Sequence, residues 1–176
     1  MKKVMLSTVL GALMLFIWSG ISWMVLDWHN QTIHNFTNDQ AVASAIQANA
    51  PQSGIYFMPN MMHPEATANT EPQVFAAVKL EGMSNSMVKP LVYEFVLQLV
   101  LVLLVSSLLM QTANLNYVRR YLFILTFAIA TALWANVPYY SWFGFDSEYT
   151  LVMMADALIG WALAGLVIAG IIRGHA

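Results

Sequence analysis

The sequence predicts an all-α integral membrane protein: a bundle of four transmembrane helices with a small extracytoplasmic α+β insertion between the first two. Three observations predict this class. Of the 176 residues, 59% are hydrophobic and only 9% are charged, whereas a soluble domain carries about 25% charged residues. The mean hydropathy is +0.63. Four apolar windows each approach the roughly 20 helical residues that cross a hydrocarbon core about 30 Å thick.

The four predicted spans are residues 4–26, 91–113, 121–137 and 150–172. The second contains one charged residue, Glu94, and the fourth contains one, Asp156. The first span follows Lys2 and Lys3, as a signal peptide would, but its apolar run is longer than the 7–15 or so residues of a signal-peptide core. We therefore interpret it as an uncleaved signal anchor.

Basic residues predict the orientation of the spans. Five of the seven Lys and Arg residues fall in segments that alternate to one side of the membrane: Lys2, Lys3, Arg119, Arg120 and Arg173. The positive-inside rule places that side, with both termini, in the cytoplasm. Residues 27–90 and 138–149 are then expected outside, the latter as an aromatic loop. A short chain with a lysine-led anchor suits a bacterial inner membrane.

Residues 27–90 are expected to form a small folded insertion. Asn38 begins a predicted helix that Pro51 ends, and two later segments have the composition of short strands. The predicted elements are a helix over about 40–48 and strands over 53–58 and 73–80. Because an isolated hairpin is only marginally stable, we expect it to pack on the outer ends of the spans or on a partner.

Glu94 and Asp156 are the main candidates for a functional site, because an ionisable group inside a span costs a few kcal/mol or more unless it faces protein, water or a partner. Gln98 lies one helical turn from Glu94 on the same face. Asn136, at the outer end of the third span, is expected to join them in one intramembrane polar site. Three interpretations remain open: interfacial or hydrogen-bonded groups that stabilise the bundle, a site for a proton, cation or lipid head group, or a contact with another subunit.

The segment Met58-Pro-Asn-Met61-Met62-His63 is a candidate copper site. Thioethers are soft ligands that suit Cu(I), and the imidazole of His63 adds a fourth donor. His29 and His34 are further candidate ligands. The chain has no cysteine, which excludes disulfides and thiolate metal sites. The alternative is that these methionines fill irregular apolar gaps or adaptable interfaces.

The aromatic side chains of residues 138–145 have two interpretations. They have the composition of a surface that stacks on a quinone, a haem or a lipid. They also match the belt of Trp and Tyr residues found at membrane interfaces, to which Trp23 and Trp28 are assigned as well.

Catalytic and nucleic-acid functions have little support. The sequence contains no Gly-x-Ser-x-Gly, His-Glu-x-x-His or phosphate-binding Gly-x-x-x-x-Gly-Lys motif. A net charge of −2 gives no basic field for nucleic acid. Two classes remain. The favoured one is a structural or accessory subunit of a larger membrane complex, acting with partner proteins or as a homo-oligomer. The alternative is a small transport or sensing protein that uses Glu94 and Asp156, with copper at the methionine loop as an additional option.

Overall fold

The computed structural model describes residues 1–59, 72–83, 86–112 and 115–172. This part of the chain is mostly helical and includes one two-stranded sheet. Its elements in chain order are α1 (Lys2–Met24), α2 (Trp28–Gln31), α3 (Asp39–Asn49), β1 (Gly54–Met58), β2 (Val74–Val78), α4 (Val88–Gln111), α5 (Tyr117–Phe143) and α6 (Ser147–Ile171).

Helices α1, α4, α5 and α6 are each long and apolar enough to cross a membrane. They confirm the prediction of four apolar spans. Helix α4 begins at Val88, three residues before the predicted start of the second span, and α5 begins at Tyr117, four residues before the predicted start of the third. The side chain of Asn116 caps α5 by accepting a hydrogen bond from the backbone N–H of Arg119.

The end of α5 differs from the sequence prediction, which starts a loop at residue 138. The helix instead continues through Pro138 to Phe143. A proline inside a helix removes one backbone N–H, but transmembrane helices tolerate it where the rest of the helix is held in place. Gly144 ends the helix with φ of 70°, a left-handed conformation that favours glycine. Most of the predicted aromatic loop is therefore helical.

Extensive packing joins α4 to α1, α1 to α6, and α6 to α5. Small residues allow the helices to approach closely. A Cβ atom on Gly11 of α1 would lie only 2.8 Å from Val102 of α4 and 2.9 Å from Ile168 of α6. A Cβ atom on Gly160 of α6 would lie 2.9 Å from the Trp18 ring. Glycine at these two positions is what lets α1 lie between its two neighbours.

The four long helices alternate in direction, so the assembly has two distinct ends. We call the end that holds Arg120 the arginine end. There the Ser7 hydroxyl lies 2.9 Å from that of Ser106, which joins α1 to α4. The buried Arg120 guanidinium donates from Nε to the carbonyl of Ala169 at 2.9 Å, and from Nη1 to the carbonyl of Leu115. Arg120 thus satisfies a carbonyl in the last turn of α6.

The opposite end carries the segment between α1 and α4, and we call it the insertion end. Asn38 caps α3 by accepting from the backbone N–H of Ala41. Strands β1 and β2 pair antiparallel, from Gly54 opposite Val78 to Met58 opposite Val74. The helix and the hairpin both agree with the sequence prediction.

The hairpin packs on the end of α5 through aromatic rings. The Phe75 ring lies 4.5 Å from that of Phe143 and 5.8 Å from that of Phe145, between centroids. Phe57 lies 5.6 Å from Phe143. A Cβ atom on Gly144 would lie 2.8 Å from the Gln73 side chain. The expectation that the hairpin packs on the ends of the spans is confirmed, and the rings of Phe143 and Phe145 contact protein.

Candidate functional site

Asp156 is the centre of a polar network at the insertion end. It lies nine residues after Ser147, the first residue of α6, so about 14 Å along the helix axis at 1.5 Å per residue. The Trp18 indole N–H of α1 lies 2.7 Å from Asp156 Oδ1 and 3.0 Å from the Asp156 carbonyl. An indole N–H is a donor only and a carboxylate is an acceptor. This hydrogen bond therefore joins α1 to α6 well inside the apolar segment.

His29 extends the network into α2. Its ring is only 1% exposed, and Nε2 lies 3.5 Å from Asp156 Oδ2 and 3.0 Å from the Ser22 hydroxyl. The Trp28 indole N–H donates to the same hydroxyl at 3.1 Å. The imidazole stacks on Trp23, with centroids 3.8 Å apart and planes 6° from parallel. The network thus attaches the start of the insertion to both α1 and α6.

The protonation of His29 follows from this environment. Burial lowers the pKa of His29 below its ordinary value of 6.5, and the negative charge of Asp156 opposes that effect only in part. A neutral ring has one N–H. Placing it on Nε2 lets His29 donate toward both Asp156 and Ser22. Nδ1 is then an acceptor, and it has no hydrogen-bond partner among the described residues.

A cleft beside this network contains the second acid. Gln98 Nε2 of α4 donates to Glu94 Oε1 at 2.9 Å. Gln98 is only 5% exposed, and its Oε1 has no hydrogen-bond partner within the described ranges. The cleft measures about 140 Å³ and lies between α1, α4 and α6; its walls are Leu15, Trp18, Ser19, Glu94, Gln98, Leu101, Asp156, Ala157, Gly160 and Trp161.

The structure brings three of the four predicted polar residues into this one cleft: Glu94, Gln98 and Asp156. Asn136 lies elsewhere. It lines a separate pocket with Tyr139 and Thr150, and its amide donates to the Ala132 carbonyl at 2.8 Å. The helix arrangement explains this separation. Helix α5 packs against α6, and the pocket that contains Asn136 shares no lining residue with the cleft.

The predicted copper loop stays a prediction. Met58 is the last residue of β1 and is 44% exposed. Met61, Met62 and His63 lie outside the described residues. Within the described ranges, no group of three or more His, Asp or Glu side chains is arranged to hold a metal ion.

Sequence reasoning missed the hydrogen-bond donors around Asp156. It assigned Trp23 and Trp28 to the interfacial belt and considered His29 only as a metal ligand. Trp18 and Ser22 did carry a signal, because they lie four residues apart and share a helix face within an apolar span. Their link to Asp156 was not visible, since Trp18 and Asp156 are 138 residues apart in the chain.

Comparison of the chain with protein-family models, curated proteins and solved structures found no match. Function must therefore be inferred from the site and from the four apolar helices, which indicate a membrane protein. Glu94, Gln98 and Asp156 line one cleft, and the buried amide oxygen of Gln98 has no hydrogen-bond partner among the described residues. These groups accept hydrogen bonds and attract positive charge, so the site is suited to a cation or a hydrogen-bond donor.

Proposed function

We propose that this chain is a small integral membrane protein of the transport or sensing class, and that its ligand site is the cleft between α1, α4 and α6. The observation that carries the proposal is the Gln98 side chain, which lines the cleft and whose amide oxygen Oε1 is buried without a donor among the described residues. A buried acceptor left unpaired costs about 1–3 kcal/mol. Such a group calls for a bound partner or a functional role.

The position of the cleft supports this class of function. Glu94 lies six residues into α4 and Asp156 lies nine residues into α6, so the two acids are roughly 9 Å and 14 Å from the starts of their helices. Ionisable groups at such depth mark ion or substrate pathways in many membrane proteins. The site therefore extends from the insertion end toward the middle of the apolar layer.

We also propose an orientation for the chain in a bacterial inner membrane. Lys2, Lys3, Arg119 and Arg120 lie at the arginine end, and the positive-inside rule assigns that end to the cytoplasm. In this proposal the four helices form a bundle, and the cleft opens toward the periplasm.

Because the chain has no cysteine, a thiol reagent labels this protein only at a single introduced cysteine. An impermeant thiol reagent added to intact cells should label Ser147→Cys and spare Asn116→Cys; the reverse pattern contradicts the orientation.

The cleft is tested by ligand-dependent thermal stability of the full chain in mild detergent. Salts, amines, amino acids and neutral solutes are compared at constant pH and ionic strength. Glu94→Gln removes a charge from the cleft but keeps an oxygen for Gln98. Glu148→Gln, exposed in the first turn of α6, removes the same charge outside it. We expect at least one solute to raise Tm in wild type and Glu148→Gln but not in Glu94→Gln. If no solute has a Glu94-dependent effect, the cleft is a structural feature only.

An accessory subunit of a larger membrane complex is the second candidate. One observation favours it: an apolar groove of about 430 Å³ between α1 and α4, lined by Leu13, Phe16, Val88, Leu91, Val92, Phe95 and Val96. In a bilayer such a groove is covered by lipid chains or by a partner helix. A photoreactive residue at Val92 should crosslink to protein in native membranes if this role is correct. Crosslinks to lipid alone contradict it.

A further inference from the structure

We infer that the ligand of the cleft is a small organic ammonium ion that carries at least one N–H group. This inference rests on the proposed function and names its substrate class. It combines three observations about the cleft: an excess of negative charge, an excess of hydrogen-bond acceptors, and aromatic walls.

Charge sets the sign of the ligand. Glu94 and Asp156 both line the cleft, and none of the described residues lining it is basic. His29 is a titratable neighbour of the cleft, and its Nε2 lies 3.5 Å from Asp156 Oδ2. Because burial keeps this imidazole neutral near pH 7, His29 does not neutralise Asp156. An anionic ligand would be repelled, whereas a cation is attracted.

The hydrogen bonds already made show what the ligand must supply. Glu94 Oε1 accepts from Gln98, and Asp156 Oδ1 accepts from Trp18. Gln98 Oε1 accepts from no described group. An amide oxygen can only accept. The missing component is therefore a donor, and an ammonium N–H supplies both a donor and a positive charge.

The walls favour an organic cation over a bare metal ion. The Trp18 and Trp161 side chains line the cleft with Leu15 and Leu101. Indole faces attract cations, and ammonium groups are recognised in this way. A hard metal ion prefers six or more oxygen ligands, and only three side chains with acid or amide oxygens line this site. A volume of about 140 Å³ admits several waters, or an amine of a few heavy atoms.

Thermal-shift titration of the full chain in mild detergent tests the inference with ethylammonium chloride as the probe. Sodium chloride at equal ionic strength controls for charge, ethanol controls for shape without charge, and tetramethylammonium controls for charge without an N–H. We expect ethylammonium to raise Tm saturably in wild type and in Glu148→Gln. Its apparent Kd should be at least about tenfold weaker in Glu94→Gln and in Gln98→Met, because each loses a charge-assisted contact. If size-exclusion chromatography shows that the Glu94→Gln variant is unfolded, Asp156→Asn takes its place.

The outcomes separate this inference from the proposed function. An equal Tm rise with sodium or ethanol, or an ethylammonium effect that Glu94→Gln leaves unchanged, overturns the ammonium assignment. Tetramethylammonium binding as tightly as ethylammonium overturns the role of the N–H group. If a different solute acts in a Glu94-dependent way, the cleft is a ligand site but its ligand is not an ammonium ion. If no solute does so, both proposals fail.

Discussion

The buried polar side chains at the two ends of the helix assembly differ in how completely they are paired. At the arginine end, Ser7 bonds to Ser106, and Arg120 donates to the carbonyls of Ala169 and Leu115. At the insertion end, Asp156 is the centre of a network of indole, imidazole and hydroxyl groups. The two buried side-chain atoms without a partner in the described residues, His29 Nδ1 and Gln98 Oε1, are both at this end.

This difference separates side chains that hold the helices together from side chains that are suited to binding a ligand. A fully paired buried group holds helices together and has little left to offer a ligand. An unpaired buried group lowers stability, and a molecule that completed its hydrogen bonds would recover that loss. Changes at the arginine end should therefore alter stability alone. Changes at the insertion end should alter both stability and the response to ligands.

The largest expected effect is at the arginine end, from Arg120→Met. This change leaves the carbonyls of Ala169 and Leu115 without their donor, and hydrogen bonds from a charged group contribute about 1.5–3 kcal/mol. Chemical or thermal unfolding in detergent measures the loss. Arg119→Met is the control, because Arg119 is exposed and its side chain has no comparable burial. Equal losses in the two variants would show that Arg120 acts only through its charge.

Two serine variants compare the ends directly. Ser22→Ala leaves the Trp28 N–H and the Nε2 of His29 without their shared hydroxyl, so it should cost about 2 kcal/mol. Ser7→Ala removes one hydroxyl partner from Ser106 and should cost about 1 kcal/mol. The two unfolding free energies are measured in the same detergent. A larger loss of unfolding free energy in Ser7→Ala than in Ser22→Ala would contradict this expectation.

A smaller effect is expected from pH. Because the folded chain lowers the pKa of His29, the unfolded chain binds a proton at a higher pH than the folded chain does. The contribution of neutral His29 to the free energy of unfolding is therefore complete above pH 6.5, and it is lost as the pH falls below that value. The slope is at most about 1.4 kcal/mol per pH unit. Unfolding midpoints between pH 7.5 and 5 should fall less steeply in His29→Gln than in wild type. Equal slopes would contradict the burial of a neutral imidazole.

Local features of the sequence were enough to predict the spans and the hairpin, because length, composition and turn residues determine them. The pairing of Glu94 with Gln98 was predictable for the same reason, since it lies within one helix turn. Asn136 lines a different pocket, and its position could not be predicted because it depends on which helices pack together. Pro138 was misread as a helix end because a stop signal depends on the stability of the helix around it.

The network around Asp156 could not be derived locally. Trp18, His29 and Asp156 come from three separate elements, and only the packing of α1 and α2 on α6 brings them together. Their residue types were visible in the sequence, but an indole at an apolar position has many ordinary explanations. The signal that would have helped is the pairing of an acid inside one span with indole and hydroxyl donors inside another.

We propose that Glu94 and Asp156 act as one site although they lie on different helices. A double-mutant cycle with Glu94→Gln, Asp156→Asn and the double variant measures this coupling through unfolding free energies in one detergent. Two carboxylates that share a cleft repel each other, so neutralising one should reduce the effect of neutralising the other. We expect a coupling energy of at least about 0.5 kcal/mol. Effects that add within error would show that the two acids are independent, and would contradict the account.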